Sequence, residues 1–236
     1  MIISLLVFVV ILVLSIPSAI LFIPLTVLTG KIEPLYSVVC FIVRAGYATA
    51  GIRVIVEGRE LVPADRACIF MANHVSNLDP PALIGCIPGH TAAFAKRSVF
   101  KIPAFGYCLK LGQFIPVDRS GDAASAKQSV AAAQRVLESG THITTFVEGT
   151  RSRDGRMLPF KKGPFYLAQQ SGAPCIPVSI YGTEHLMSKG SFAIKPGEAH
   201  FVFHAPVFPG DYETREELMQ AVRSSIAGGL PEWMRN

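Results

Sequence analysis

The chain has 236 residues, half of them hydrophobic and 17% charged, with a formal net charge of +5. A charged share below the roughly 25% of ordinary soluble domains means that part of the apolar content belongs outside a single water-exposed core. Five scattered cysteines (Cys40, Cys68, Cys86, Cys108 and Cys175), odd in number and without a CxxC pair, exclude a disulfide framework and a zinc-ribbon spacing.

Residues 1–30 carry no charged side chain and exceed the roughly 20 residues a helix needs to cross a hydrocarbon core. A cleaved signal peptide fits poorly: no lysine or arginine precedes the apolar run, and "SIPSAILFIPL" continues apolar where a mature domain should begin. A spanning helix and a helical hairpin dipping into one leaflet both remain, with Pro17 and Pro24 expected to kink the segment. A second apolar stretch, residues 34–51, is interrupted by Arg44, which predicts an interfacial or partly buried helix rather than a second crossing. Residues 1–50 are therefore expected to be a membrane anchor and residues 51–236 one soluble domain.

Along that domain, "IRVIVEG" (52–58) alternates like a half-buried strand, and "ACIFMAN" (67–73) reads as a strand buried on both faces. Asp79 before Pro80 marks a helix start, with Asp79 as the expected N-cap. A helix is predicted over 122–139, closed by Gly140, then a strand over 141–149, a short helix from Gly163 and a buried strand over 175–182. "FAI" and "AHFVFHAPV" predict an antiparallel addition, and a last helix opens with a Thr214 and Glu217 capping box. The alternation of strands and helices predicts an α/β fold, a mostly parallel central sheet flanked by helices, with ligand sites at the carboxyl ends of the strands.

The positive charge is local. Residues 96–119 hold Lys96, Arg97, Lys101, Lys110 and Arg119 against Asp118, and residues 151–162 hold Arg151, Arg153, Arg156, Lys161 and Lys162 against Asp154. Such clusters fit phosphate groups or lipid head groups, or are simply solvated loops. Cys68 and Cys175 lie in apolar runs and read as small core residues. His200 and His204 lack a third ligand nearby, so no metal site is expected.

Two stretches carry candidate chemistry. "MANHVSNLDPP" places His74 after a strand and Asp79 on the next helical turn, where the carboxylate can hold one ring nitrogen and free the other as a base. No GxSxG elbow occurs, so the base would activate a hydroxyl that does not belong to the enzyme. An HxxxxD match is common by chance, and a helix cap explains Asp79 as well. "FVEGTRS" leaves the next strand through Gly149 and presents Thr150, Arg151 and Ser152, donors of the kind that hold phosphate; an ordinary polar turn would read the same way. Both stretches end strands of one sheet and can converge on one edge.

With these residues the chain resembles the membrane-bound glycerolipid acyltransferases of the NHxxxxD type, most closely the branch acting on 1-acyl-glycerol 3-phosphate. "NHVSNLD" matches the family's NHxxxxD, "FVEGTRS" its FPEGTRS, "AKRSVFKIPAFG" its lysine-rich block, "IPVDR" (115–119) its IPVDR and "IPVSI" its VPV-type strand. The resemblance implies acyl transfer from acyl-CoA or acyl carrier protein to the 2-hydroxyl of lysophosphatidic acid, without metal or cofactor. His74 would be the base and Asp79 its orienting partner, while Asn73 would position the turn. Glu148, Gly149, Thr150, Arg151 and Ser152 would belong to the acceptor site, with Arg151 on the phosphate. Lys101 and Arg119 would add positive potential, and Ile176 and Pro177 would shape the wall by the thioester. Ser98 stands where the family usually has glutamate and Val147 where it usually has proline, both in blocks tied to the acceptor, which keeps a different lysolipid such as a lyso-ornithine lipid in play. A lipid hydrolase using His74 on water and a non-catalytic binder of anionic lipid are the competing readings. Expected partners are membrane lipids and these acyl donors and acceptor, with no nucleic acid. The expected location is a membrane, the cytoplasmic or inner one, with the catalytic domain on the cytoplasmic side.

Overall fold

The computed structural model describes residues 1–117 and 123–235. In chain order the elements are α1 (Ile2–Thr29), α2 (Glu33–Thr49), β1 (Ile52–Glu57), β2 (Ile69–Ala72), α3 (Asp79–Cys86), β3 (Thr91–Lys96), α4 (Phe105–Leu111), β4 (Ile115–Val117), α5 (Ala123–Glu138), β5 (His142–Phe146), α6 (Gly163–Ser171), β6 (Cys175–Tyr181), α7 (Thr183–Leu186), β7 (Gly197–Phe203) and α8 (Arg215–Gly229). Short 3-10 turns cover Arg59–Leu61, Arg97–Lys101, Pro209–Asp211 and Glu232–Met234.

The seven strands form one sheet in the order β1-β7-β6-β2-β5-β3-β4. β6, β2, β5, β3 and β4 run parallel, and β7 joins β6 antiparallel, as the sequence predicts. Its partner on the far side is β1 rather than a hairpin arm formed by "FAI", since residues 192–194 form no strand and β1 pairs with β7 in parallel register. The sequence reading also omits β3 and β4. The apolar residues of β3 are mostly alanine and the strand runs out into Lys96, and β4 has only three residues, so neither gives the large apolar signal of β2 or β6.

Two apolar layers sandwich the sheet. Phe70 and Ala72 of β2 point into a layer with Leu83 of α3, Tyr47 of α2 and Val7 of α1. Ile69 and Met71 face the opposite layer with Ala133 of α5, Phe165 of α6 and Val222 of α8. All four residues of β2 are fully buried, as expected for a central strand between two helical layers, and each large apolar side chain so buried contributes about 1.5–3 kcal/mol. Cys68 and Cys175 are fully buried free thiols of this core. The capping box predicted for α8 is present, with Thr214 Oγ1 accepting from the Glu217 amide and the Glu217 carboxylate accepting from the Thr214 amide.

α1 is a single 28-residue helix through both prolines, long and apolar enough to cross a membrane, and most of its side chains are exposed. It turns at Gly30, whose φ of 69° suits glycine, and packs back along α2. α2 in turn is fastened to the α/β part near both ends, where the Tyr36 hydroxyl donates to the Ile84 carbonyl at 3.3 Å and the Tyr47 hydroxyl donates to the Leu78 carbonyl. Near its start α1 touches the same part: Val7 is buried there, and Ser4 Oγ accepts from the Ile194 amide at 2.9 Å.

Candidate active site

β2 and β5 are parallel neighbours, with Ala72 opposite Phe146, so the chain leaves both strands at the same edge. "NHVSNLD" and "FVEGTRS" therefore meet. The Ser152 amide donates to the His74 carbonyl at 2.8 Å and ties the two loops directly.

The Asp79 carboxylate organises the turn. It is fully buried, and Oδ2 accepts from the Val75 amide at 2.7 Å and the Ser76 amide at 2.8 Å while lying 2.8 Å from His74 Nδ1. Oδ1 accepts from the Thr183 hydroxyl at 2.5 Å. These donors offset the cost of taking a carboxylate out of water. Asp79 is not the N-cap that the sequence predicts: Leu78 holds that position, and Asp79 is the first residue of α3. Its side chain turns back toward residues 74–76 instead of forward onto the first turn of the helix, so the cap and the partner of His74 are not one and the same role.

With Nδ1 donating to Asp79, the lone pair of His74 lies on Nε2, which has no hydrogen-bond partner among the described residues. The ring stacks on Phe146 at 4.1 Å between centroids, and its side chain keeps 15% exposure. Hydroxyls close by are already engaged. Ser76 Oγ donates to the Met187 carbonyl and accepts from the Leu78 amide, and Ser152 Oγ donates to Asp154, so neither is poised as a nucleophile and Ser152 is not the free phosphate donor expected from sequence.

Asn73 gains a definite task. Its amide nitrogen donates to the Ile180 carbonyl and its oxygen accepts from the Ile180 amide, both at 2.8 Å, so a side chain carries the β2 to β6 ladder one step past Ala72. That bond pair fixes where the strand stops and the His74 turn begins. Thr183, Ser76 and Phe146 are the site residues that sequence reasoning missed. The available signal was positional: Thr183 follows the carboxyl end of a strand parallel to β2.

Gly149 and Thr150 are exposed at the edge, and Gly149 adopts a φ of 70° that a side chain would strain. Arg151 presents a buried Nη1 with no partner, a donor held ready for an anion, and its carbonyl accepts from Lys189 Nζ at 2.6 Å. Glu148 is almost fully buried. Desolvation pushes its carboxyl up to about 8, against the amides of His74 and Leu158, which lie near it without good hydrogen-bond geometry, and the charge of Arg223. Lys101 is exposed on the connection leaving β3, at the same sheet edge.

Two expected contributors fall elsewhere. Ile176 and Pro177 pair with Phe70 and Met71, in the buried middle of the sheet, whereas the level of the site is that of Ile180, the partner of Asn73; they do not line the edge where His74 sits. Arg119 lies outside the described residues. Val147, the departure from FPEGTRS, points into the core, and its amide donates to the Ala72 carbonyl at 3.0 Å, a bond that proline cannot make. It extends the β2 to β5 ladder and faces no acceptor. Ser98, the other departure, is exposed in the 3-10 turn after β3. The late histidines are not a pair: His200 stacks on Tyr181, while His204 Nε2 lies 2.7 Å from Ser179 Oγ. Since Ser179 donates to the Ile226 carbonyl, His204 must be the donor to Ser179, and this contact is structural rather than a serine and histidine dyad.

A mostly parallel sheet presenting an oriented histidine at its carboxyl edge, with no free serine beside it among the described residues, defines the class: an α/β fold with a candidate base at the ends of its strands. The Acyltransferase family model matches residues 53–181. A 1-acyl-sn-glycerol-3-phosphate acyltransferase from Limnanthes douglasii is 32% identical over 183 residues, covering 77% of this chain and 64% of the relative. The human 1-acyl-sn-glycerol-3-phosphate acyltransferase alpha is 33% identical over 159 residues, covering 66% of this chain and 56% of the relative. The crystal structure of the 1-acyl-sn-glycerophosphate (LPA) acyltransferase PlsC from Thermotoga maritima superposes with a TM-score of 0.85 at 28% identity, covering 98% of this chain and 95% of that one. This chain belongs to the acyltransferase family. It spans 50% to 64% of the length of the first curated plant relatives that it matches.

Removing the Asn73 amide leaves both Ile180 backbone groups buried and unpaired, so Asn73→Ala is expected to cost about 1–3 kcal/mol in denaturant unfolding. The Glu148 carboxyl keeps its proton in the folded chain up to about 8, whereas it ionises near the usual carboxylate value when unfolded. The folded state thus binds the extra proton, and stability falls as pH rises between those two values. Glu148→Gln should flatten that slope in a pH series of melting curves.

Proposed function

We propose that this protein transfers an acyl group from acyl-CoA or acyl carrier protein to the 2-hydroxyl of lysophosphatidic acid, forming phosphatidic acid for phospholipid synthesis at a membrane surface. The observation that carries the reading is the His74 Nδ1 contact of 2.8 Å with the buried Asp79 carboxylate, which leaves Nε2 without a protein partner. Nε2 takes the proton of the acceptor hydroxyl as its oxygen bonds to the thioester carbonyl carbon. The tetrahedral oxyanion then collapses, the carbon to sulfur bond breaks, and the imidazolium returns the proton to the leaving thiolate. Asp79 holds the ring in one tautomer and stabilises the imidazolium while it exists. The unpartnered Nη1 of Arg151 supplies the donor for the acceptor phosphate, with Gly149 and Thr150 as the exposed backbone around it. The Val147 side chain lies in the core, which supports the same acceptor despite the departure at that position.

The acceptor reading fits a domain held at a lipid surface. Both ends of the α1 and α2 hairpin are fastened to one side of the α/β part, through Ser4 at the start of α1 and through Tyr36 just past the turn. A helix returned to the same side at both ends lies along a bilayer rather than through it, so α1 rests in one leaflet with its exposed Leu5, Leu12, Ile16 and Leu21 in the acyl region. Residues 1–50 serve in this reading as the anchor, and we place the catalytic part on the cytoplasmic side of the membrane.

Purified protein incubated with labelled acyl-CoA and lysophosphatidic acid is expected to yield labelled phosphatidic acid; release of free fatty acid alone would overturn acyl transfer in favour of hydrolysis. His74→Ala, checked for folding by circular dichroism, should lose at least ~100-fold in turnover, the usual contribution of a general base. Arg151→Ala should raise the acceptor KM about tenfold or more while the acyl-CoA KM stays put, as expected for losing one charge-assisted bond.

A further inference from the structure

The connection from β3 to β4 has an unusual surface. Ile102, Phe105 and Tyr107 are 50%, 53% and 45% exposed, and they alternate with exposed Lys96, Lys101 and Lys110. None of these residues has a part in the chemistry above except as a source of positive potential. The tip is built, not slack. The Gly106 amide donates to the Ile102 carbonyl at 2.7 Å, Ala104 takes a φ of 57°, and a Cβ on Gly106 would stand 2.2 Å from the Phe100 carbonyl oxygen. Backbone pinned in this way holds Ile102 and Phe105 outward, where an ordinary soluble surface would place polar groups.

The topology says which way they face. The steps from β2 to β3 and from β3 to β4 move in the same direction along the sheet, so right-handed crossovers place both connections on one face. The first of them contains α3, whose Leu83 packs in the layer shared with α1 and α2, while α5, α6 and α8 cover the other face. The exposed tip is thus on the side of the long apolar helix. On the other flank of the site, the connection between α7 and β7 carries Phe192, which is 86% exposed, two residues from the Ile194 amide bonded to Ser4 of α1. In the strand order, β2 and β5, which carry His74 and Arg151, lie between the elements from which these two connections spring.

We infer that the β3 to β4 connection is a second membrane-contact element, whose Ile102 and Phe105 enter an anionic bilayer while Lys96, Lys101 and Lys110 meet its head groups. Apolar anchors ringed by lysines match the boundary between acyl chains and anionic head groups. An acidic protein would satisfy the lysines, but the tip's position on the α1 side favours the bilayer. α1 on one flank and this tip on the other straddle the catalytic edge, so a lipid acceptor would reach His74 from the membrane between them. The inference rests on the membrane-acceptor reading only in that last step, and contact with lipid is measurable without turnover.

The chain has one tryptophan, Trp233. In a full-length Trp233→Phe background, Phe105→Trp is made as a reporter, with Phe208→Trp as control, a 41% exposed position next to Val207 of the layer opposite α1. On vesicles of phosphatidylcholine and phosphatidylglycerol, Phe105→Trp emission should shift to the blue and fall at least twofold when the lipids carry bromine on their acyl chains, while Phe208→Trp should do neither. A second variant, Ile102→Ser with Phe105→Ser, should raise the apparent KM for acceptor in vesicles several-fold and leave turnover of detergent-dispersed acceptor unchanged. Solvent-like, unquenched Phe105→Trp emission on bound vesicles would overturn the inference, as would a response to an acidic acyl carrier protein in place of the vesicles, or self-association lost in the serine variant. Quenching in a chain that transfers no acyl group would leave the membrane contact standing and remove the proposed activity instead.

Discussion

One buried carboxylate holds the catalytic edge together. Asp79 is fully buried, and its two oxygens gather His74, the amides of Val75 and Ser76, and the hydroxyl of Thr183. Removing any donor would leave a buried anion short of partners, which is far more costly than losing an ordinary surface bond. The turn after β2, the start of α3 and the turn after β6 are therefore fixed relative to one another by a single group. The imidazole inherits its orientation from that arrangement.

Around this centre the sheet supplies the register. Asn73 continues one ladder from β2 toward β6, and Val147 continues another from β5 toward β2, so the two catalytic stretches emerge at matched heights. The carbonyl of His74 then receives the Ser152 amide, which brings the arginine-bearing loop against the base. Substrate-binding loops are usually the mobile parts of a fold. Here they are tied down on both sides, and the arginine they carry is left with an unmet donor. Desolvation pushes the carboxyl of Glu148, buried beside the same turn, up to about 8.

Much of the fold was legible because its signals are local. The fully apolar run of β2, the alternation of β1, the capping box of α8 and the uncharged length of α1 each follow from a few neighbouring residues. β3 escaped because its apolar residues are mostly alanine, a poor strand former, and β4 because three residues are too few to show a period. "FAI" deceived for the converse reason: an apolar triplet without a neighbouring strand in space remains a loop. Within the candidate site, the contact between His74 and Asp79 was foreseeable because their spacing puts one on the turn after a strand and the other on the next helical turn. Ile176 and Pro177 were misplaced because distance from the strand end, which decides what lines the edge, depends on the pairing register.

The sequence by itself determined an apolar N-terminal helix, an alternating α/β domain, two chemistry-bearing stretches and the family they belong to, since these rest on composition and on residues close together in the chain. Only the tertiary structure decided that Asp79 holds His74 without capping the helix, that Asn73 and Thr183 belong to the same framework, and that Ser152 is spent on its own loop. Each of those roles is a hydrogen bond whose partner was set by folding. Ile180 lies 107 residues from Asn73 and Thr183 lies 104 from Asp79, and no local pattern specifies which distant group will meet which. Sequence spacing names candidate donors and acceptors; the pairing is chosen by the sheet that brings strand ends together and by the cost of leaving any buried polar group alone.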